Sequence, residues 1–309
     1  MQSQVKPTLH LPDTIKIHYA GAEVMNQFVA CTELGINYAL YTAFPFVERM
    51  VFPKGKAPVL PLKWMTNPAI DIPTHINTSC RHTIQDSGLF TLLFGSRKDI
   101  EKDYNLISRW YDALIQFTLD HGQPVTCVEV DSQNIIGLEK TWEFRERMKR
   151  DLPNNRIINV YHLRDGEREL DRLIEFSDYI AISVPEFIAN GKRDYVSRLT
   201  RYIKHKKPTI DIHLLGCTAT KLLRENTFCT SCDSTTYVVP KRYGFLGGRH
   251  IRNINTQAIK EHFGEDHFNA VAEYNNEQNT RTLLLSIEYH RQEYQKACGN
   301  QDYTIPIIQ

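Results

Sequence analysis

Eight short apolar or β-branched runs alternate with longer stretches of helical spacing, and this alternation limits the folds open to the chain. The runs are Ile15–Ala20, Tyr38–Ala43, His82–Gln85, Thr126–Val130, Ile157–Tyr161, Tyr179–Ile182, Thr209–Ile212 and Thr230–Cys232. Between them, Lys102–His121 sets Tyr104, Ile107, Trp110, Leu114 and Leu119 near the helical period. Leu138–Arg150, Glu167–Glu175, Arg193–His205 and Thr218–Asn226 show similar spacing. Strands separated by helices pair in parallel, because the crossover helix carries the chain back to the end it started from. Eight such strands are the number that closes a (β/α)8 TIM-type barrel, with an open doubly wound sheet as the alternative. The 309 residues suit one barrel domain over 1–309, although two ordinary domains would also fit that length.

Two segments depart from the alternation. Residues 45–79 contain Pro45, Pro53, Pro58, Pro61, Pro68 and Pro73 with few helical signals, and are expected to form a long insertion after the second strand. Residues 235–264 follow the eighth run and form a basic, Gly-rich segment with Lys241, Arg242, Gly244, Gly247, Gly248, Arg249, His250 and Arg252. Beyond it, residues 280–297 form an amphipathic helix expected to close the barrel, and the last dozen residues are expected to be a tail.

Charge and composition narrow the functional classes. The net charge of +1 gives no global field for a polyanion, so nucleic-acid binding would rest on local basic patches. No apolar stretch reaches the roughly 18 residues that a membrane span needs, and residues 1–12 lack the apolar core of a signal peptide. The seven scattered cysteines, an odd number, are expected to be reduced thiols of a cytoplasmic protein, in a host cytoplasm if the chain is viral.

Barrel chemistry sits at the carboxyl ends of the strands. There the sequence places Asp86-Ser87-Gly88, Asp131-Ser132-Gln133-Asn134, Tyr161-His162, Ser183-Val184-Pro185, His213-Leu214-Leu215-Gly216 and Cys232-Asp233-Ser234-Thr235. Any one aspartate after a strand can equally be a helix cap or a turn residue. Three aspartates and two histidines at strand ends point to a barrel enzyme without choosing its reaction.

The run from His82 to Phe90 resembles the Asp-Ser-Gly-Gly-Phe motif of the tRNA-guanine transglycosylase superfamily. Ile212 to Gly216, a helix, and then Ser231 to Thr235 are similar to the His-Gly-Phe-Gly and Asp-Ser-Thr pattern of its short branch, the phage and bacterial DNA 7-deazaguanine transglycosylases. Asp178 to Ile182 and Val160-Tyr161-His162 fall in the same order, so the resemblance runs over roughly residues 15 to 240. It implies exchange of a guanine in DNA for a 7-deazaguanine such as 7-cyano-7-deazaguanine. Configuration would be retained through a covalent sugar–aspartate intermediate, with the target base flipped from the stack. Asp233 matches the nucleophile, Asp86 the general acid/base and Asp131 the purine-reading carboxylate. Ser87, Gly88, Phe90, His162, Ser183, His213 and Gly216 would complete the substrate pocket.

Lys241, Arg242, Arg249 and Arg252 would meet phosphates, since their segment follows the nucleophile strand and its glycines let backbone approach a polyanion. The chain departs from the family pattern at Leu89 and at Ser183-Val184, where glycines are usual. It also lacks the zinc module of the tRNA enzymes, so neither cofactor nor metal is expected. Cys229 and Cys232 form a Cys-x-x-Cys pair with no second pair, and a zinc site there is the alternative to plain thiols. Competing functions are a tRNA transglycosylase of the queuine or archaeosine type, a non-catalytic nucleic-acid-binding paralogue, and another two-carboxylate barrel hydrolase. A partner protein or a homodimer remains open.

Overall fold

Eight parallel strands form a closed barrel in sequence order: β1 (Lys16–Ala20), β2 (Tyr38–Thr42), β3 (His82–Asp86), β4 (Thr126–Val128), β5 (Arg156–Tyr161), β6 (Tyr179–Ser183), β7 (Asp211–Leu215) and β8 (Ser231–Ser234). This computed structural model describes residues 15–53, 72–96, 100–120, 124–217, 219–251 and 255–298. β1 pairs with β8 in parallel, Ile17 opposite Cys232 and His18 opposite Asp233. Ile158, Val160, Ile180, Ala181, Ile182, Ile212 and Leu214 are fully buried. Such continuous apolar runs are what a parallel sheet requires, because helices cover its outer face and side chains fill its inner one.

The chain divides into two compact units. The first holds the described residues of Tyr41–Val59 and Thr83–Leu215. Its order rests on a buried carboxylate just past β4. Arg145, on the helix Leu138–Asp151, donates from Nε to both Glu129 oxygens (3.1 and 2.8 Å) and from Nη2 to Oε1 (2.8 Å). Asn159 Nδ2 donates to Glu129 Oε2 at 2.6 Å, and the Val160 N–H donates to Oε1 at 2.9 Å. One carboxylate thus ties the end of β4 to β5 and to the helix between them.

The second unit holds the described residues of Asp13–Leu40, Leu60–His82 and Gly216–Gln309. Tyr237, just beyond β8, donates its hydroxyl to the Ala20 carbonyl at 2.8 Å, which joins the carboxyl ends of β1 and β8. The C-terminal helix, Glu277–Cys298, packs on this joint. Its Ser286 hydroxyl donates to the Tyr237 carbonyl, and its Tyr294 ring lies 6.2 Å from that of Tyr19. On β1, Lys16 and His18 are fully buried, and His18 Nε2 lies 2.8 Å from His82 Nδ1.

Several local expectations shift. The helices Phe44–Val51 and Ile72–Ser79 stand within and beside the segment expected to be a non-helical insertion. Pro45 and Pro73 fall in their first turns, where a missing N–H costs nothing because no carbonyl precedes it in the helix. Pro58, Pro61 and Pro68 lie outside the described residues. β7 begins two residues later than expected, because Ile210 N–H bonds back to the Lys207 carbonyl and holds Pro208–Thr209 in a turn. The basic segment contains a short helix, Val239–Tyr243, and a hairpin pairing Phe245–Leu246 with Arg249–His250. Its two-residue turn is Gly247-Gly248, with φ of 56° and 78°, backbone that side-chain-bearing residues seldom adopt.

Glu129→Gln leaves the buried Arg145 guanidinium without its paired carboxylate. The expected loss of stability is about 3–5 kcal/mol, read from denaturant midpoints. Replacing both partners, Glu129→Leu with Arg145→Met, should recover most of it. A loss near zero in the single variant would show that the pair is solvated.

Candidate active site

In the second unit, Asp233 stands third in β8 with 8% of its surface exposed. Its Oδ1 accepts the Gly216 N–H at 2.7 Å. Gly216 has a φ of +65° just past β7, a left-handed backbone that suits glycine. A carboxylate so placed keeps a fixed orientation and nearly no water. Cys217, Cys229, Cys232 and Cys298 are buried free thiols in the same unit. Burial pushes the Cys232 thiol well up, and Cys217, Cys298 and Asp233 push the same way, so it stays protonated and unreactive. Among the described residues no three or more His, Cys, Asp or Glu are grouped as metal ligands.

In the first unit, Asp86 ends β3, and its Oδ2 accepts the Gly88 N–H at 3.0 Å. Gly88 has a φ of +74°, and a Cβ there would stand 2.6 Å from the Phe44 nitrogen, so only glycine fits. Ser87 is buried, with its carbonyl accepting Trp110 Nε1 at 3.0 Å. Phe90 is 74% exposed, whereas Leu89 and Val184, which replace the expected glycines, are fully buried. Ser183 ends β6, half-buried, immediately before the helix Val184–Ala189.

Asp131 and His162 meet directly. His162 Nε2 donates to both Asp131 oxygens at 2.9 Å, and its Nδ1 donates to Glu186 Oε2 at 2.8 Å. The His162 backbone N–H and Gln133 Nε2 both donate to Asp165 Oδ2, at 2.8 and 3.1 Å. Burial pushes the imidazole down, but the hydrogen bond and charge of Asp131, followed by Glu186 and Asp165, carry it up to about 9. At neutral pH it is therefore an imidazolium with each N–H spent on a carboxylate. This corrects the expectation that His162 contacts the base, since it orients Asp131 instead. Each Asp131 oxygen keeps lone-pair capacity for a further donor.

His213 is also displaced from its expected place. It lies inside β7 opposite Ala181, fully buried, with its ring edge-on to Tyr179 at 6.5 Å. The later start of β7 puts it mid-strand, so it packs in the core instead of lining a strand end. Sequence reasoning missed Glu186, Asp165 and the Glu129–Arg145 pair. Glu186 had a visible signal, a carboxylate in the first turn after the sixth strand. The side chains of Lys241, Arg242 and Arg249, and all of Arg252, lie outside the described residues. Their segment exposes Tyr243 and Phe245.

An imidazole raised from 6.5 to about 9 by ion pairing stabilises the fold fully below pH 6.5 and loses that contribution as pH climbs through 9. The shift corresponds to roughly 3 kcal/mol. The stability gap between the wild type and His162→Gln should shrink by that order between pH 6 and pH 10 in matched denaturation curves. A constant gap would show a neutral imidazole.

No protein-family model matches the chain, and no curated protein matches it. Among solved structures it is similar to one titled "QR15, an Aldolase", with 12% identity over 72% of this chain and 90% of that one, at a TM-score of 0.40. So distant a likeness carries nothing about chemistry.

Proposed function

We propose that the protein is a pentosyltransferase that exchanges guanine in DNA for a 7-deazaguanine derivative. The observation that carries this most is Asp233, a nearly buried carboxylate whose Oδ1 accepts the Gly216 N–H near the end of a barrel strand. Such a group is poised as an oxygen nucleophile. The order of motifs resembling the transglycosylase superfamily supports the same chemistry.

Asp233 attacks C1′ of the target nucleotide while Asp86 protonates the departing guanine. The C–N bond breaks, and an ester links the sugar to Asp233. Asp86 then removes a proton from the incoming base, whose nitrogen attacks C1′ and releases the Asp233 carboxylate. Two displacements retain the configuration. Asp131, held by the His162 imidazolium, accepts N–H donors on the purine edge. Gln133 is buried, and its Oε1 has no hydrogen-bond partner among the described residues. An unpaired buried acceptor costs about 1–3 kcal/mol, a cost that a base N–H would remove. On the basic segment, the exposed rings of Tyr243 and Phe245 offer stacking surfaces between cationic residues, the combination that grips single strands.

Asp233→Asn should abolish exchange and the covalent protein–oligonucleotide adduct seen by mass spectrometry, while oligonucleotide binding persists. Asp86→Asn should slow exchange about 10²–10⁴-fold. Near-normal turnover in Asp233→Asn would refute the nucleophile. Matched DNA and RNA oligonucleotides competing for a labelled 7-deazaguanine test the substrate, and preferential labelling of RNA would move it to tRNA.

Tyr243→Ala and Phe245→Ala should each weaken single-stranded DNA binding about 5- to 150-fold, the range of one lost base–aromatic stack. Unchanged affinity in both would exclude this segment from the interface.

A further inference from the structure

A pocket of about 380 Å³ opens beside the last residue of β5, within the first unit. It lies between the loop that leads to the helix Glu167–Phe176 and the loop that leads to the helix Arg193–Lys206. The size falls in the range of small-ligand sites, roughly 300–1,000 Å³. Tyr161, Glu167, Lys192, Tyr195 and Arg198 supply its chemistry. It adjoins the imidazolium clamp, since Tyr161 directly precedes His162 and the Leu163 N–H donates to Glu186 at 3.3 Å.

Two features point to a ligand. Lys192 and Arg198 are exposed, and neither side chain makes a hydrogen bond or ion pair among the described residues. The neighbouring acids do not neutralise them. Asp194 is engaged in an interaction of its own, and Glu167 sits in the first turn of its helix, where the macrodipole favours a negative charge. The Tyr195 ring is braced by Phe187, fully buried, with centroids 6.2 Å apart and planes at 27°. A braced ring beside two unpaired cations suits a planar base joined to a phosphate.

We propose that this pocket is a subsite for a nucleotide flanking the target, held as part of the substrate strand. The assignment rests on the base-exchange function proposed above. The phosphate lies at Lys192 and Arg198, the base stacks on Tyr195, and Glu167 accepts a base N–H or a sugar hydroxyl. A free mononucleotide carries the same chemistry, so the test must separate the two sources.

The test is single-stranded DNA binding by fluorescence anisotropy across a salt series, for the wild type, Lys192→Gln/Arg198→Gln and Tyr195→Phe. Titrations with deoxyguanosine monophosphate and with inorganic phosphate run in parallel. Loss of two phosphate contacts should lower the salt slope by about 1.4. Affinity should fall at least tenfold in the double variant and hold in Tyr195→Phe, which keeps the ring. An unchanged slope and affinity in the double variant would overturn the subsite. Mononucleotide binding as tight as the oligonucleotide's, and lost in the double variant, would also overturn it in favour of a free-nucleotide site. Exchange kinetics on the same proteins separate this subsite from the proposed function. A raised KM with kcat retained supports both. Wild-type protein that binds DNA through these residues but exchanges no base would remove the function and keep the subsite.

Discussion

A carboxylate buried without partners would be too costly to keep ionised, and Glu129 is buried. The first unit is organised around satisfying it. Arg145 supplies the countercharge and three hydrogen bonds, while Asn159 and the Val160 N–H supply the rest. Because these partners come from the helix after β4 and from β5, the carboxylate sets both strand ends at once. Asp131 emerges two residues past Glu129, and His162 emerges two residues past Val160. The spacing that lets them meet at 2.9 Å therefore descends from an ion pair that touches neither. A buried pair of this kind contributes little net stability compared with apolar packing, but it is strict about geometry.

The same physics recurs nearer the chemistry. His162 is buried between Asp131 and Glu186, and their charges outweigh its desolvation. The imidazolium then has no free N–H, and its role is to orient and partly neutralise the carboxylate in front of it. A histidine in this state is a poor proton shuttle near neutral pH, because its proton leaves only near pH 9. Under the proposed function, proton transfer is therefore assigned to Asp86, whose Oδ2 accepts the Gly88 N–H.

In the second unit, a backbone N–H helps to orient Asp233. Gly216 presents its N–H to Oδ1, and Tyr237, just beyond β8, joins the strand ends by donating to the carbonyl of Ala20. The surrounding cysteines Cys217, Cys229, Cys232 and Cys298 are buried free thiols. Burial lifts the Cys232 thiol, which therefore stays protonated next to the carboxylate.

The eight strands and their parallel order were readable from the sequence, because alternation of apolar runs with helical spacing is a local property. Asp86, Asp131 and Asp233 at or just past strand ends were readable for the same reason. What tertiary structure decided was partnership. Nothing local announces that Glu129 and Arg145, sixteen residues apart, form the buried pair, or that Glu186 reaches back to His162. The placement of His213 turned on a single turn at Pro208, which moved the start of β7 and took the histidine into the core. Periodicity says where a strand lies to within a residue or two, and side-chain direction reverses with each residue. Which chemistry a residue meets is therefore fixed only when the whole barrel has chosen its register.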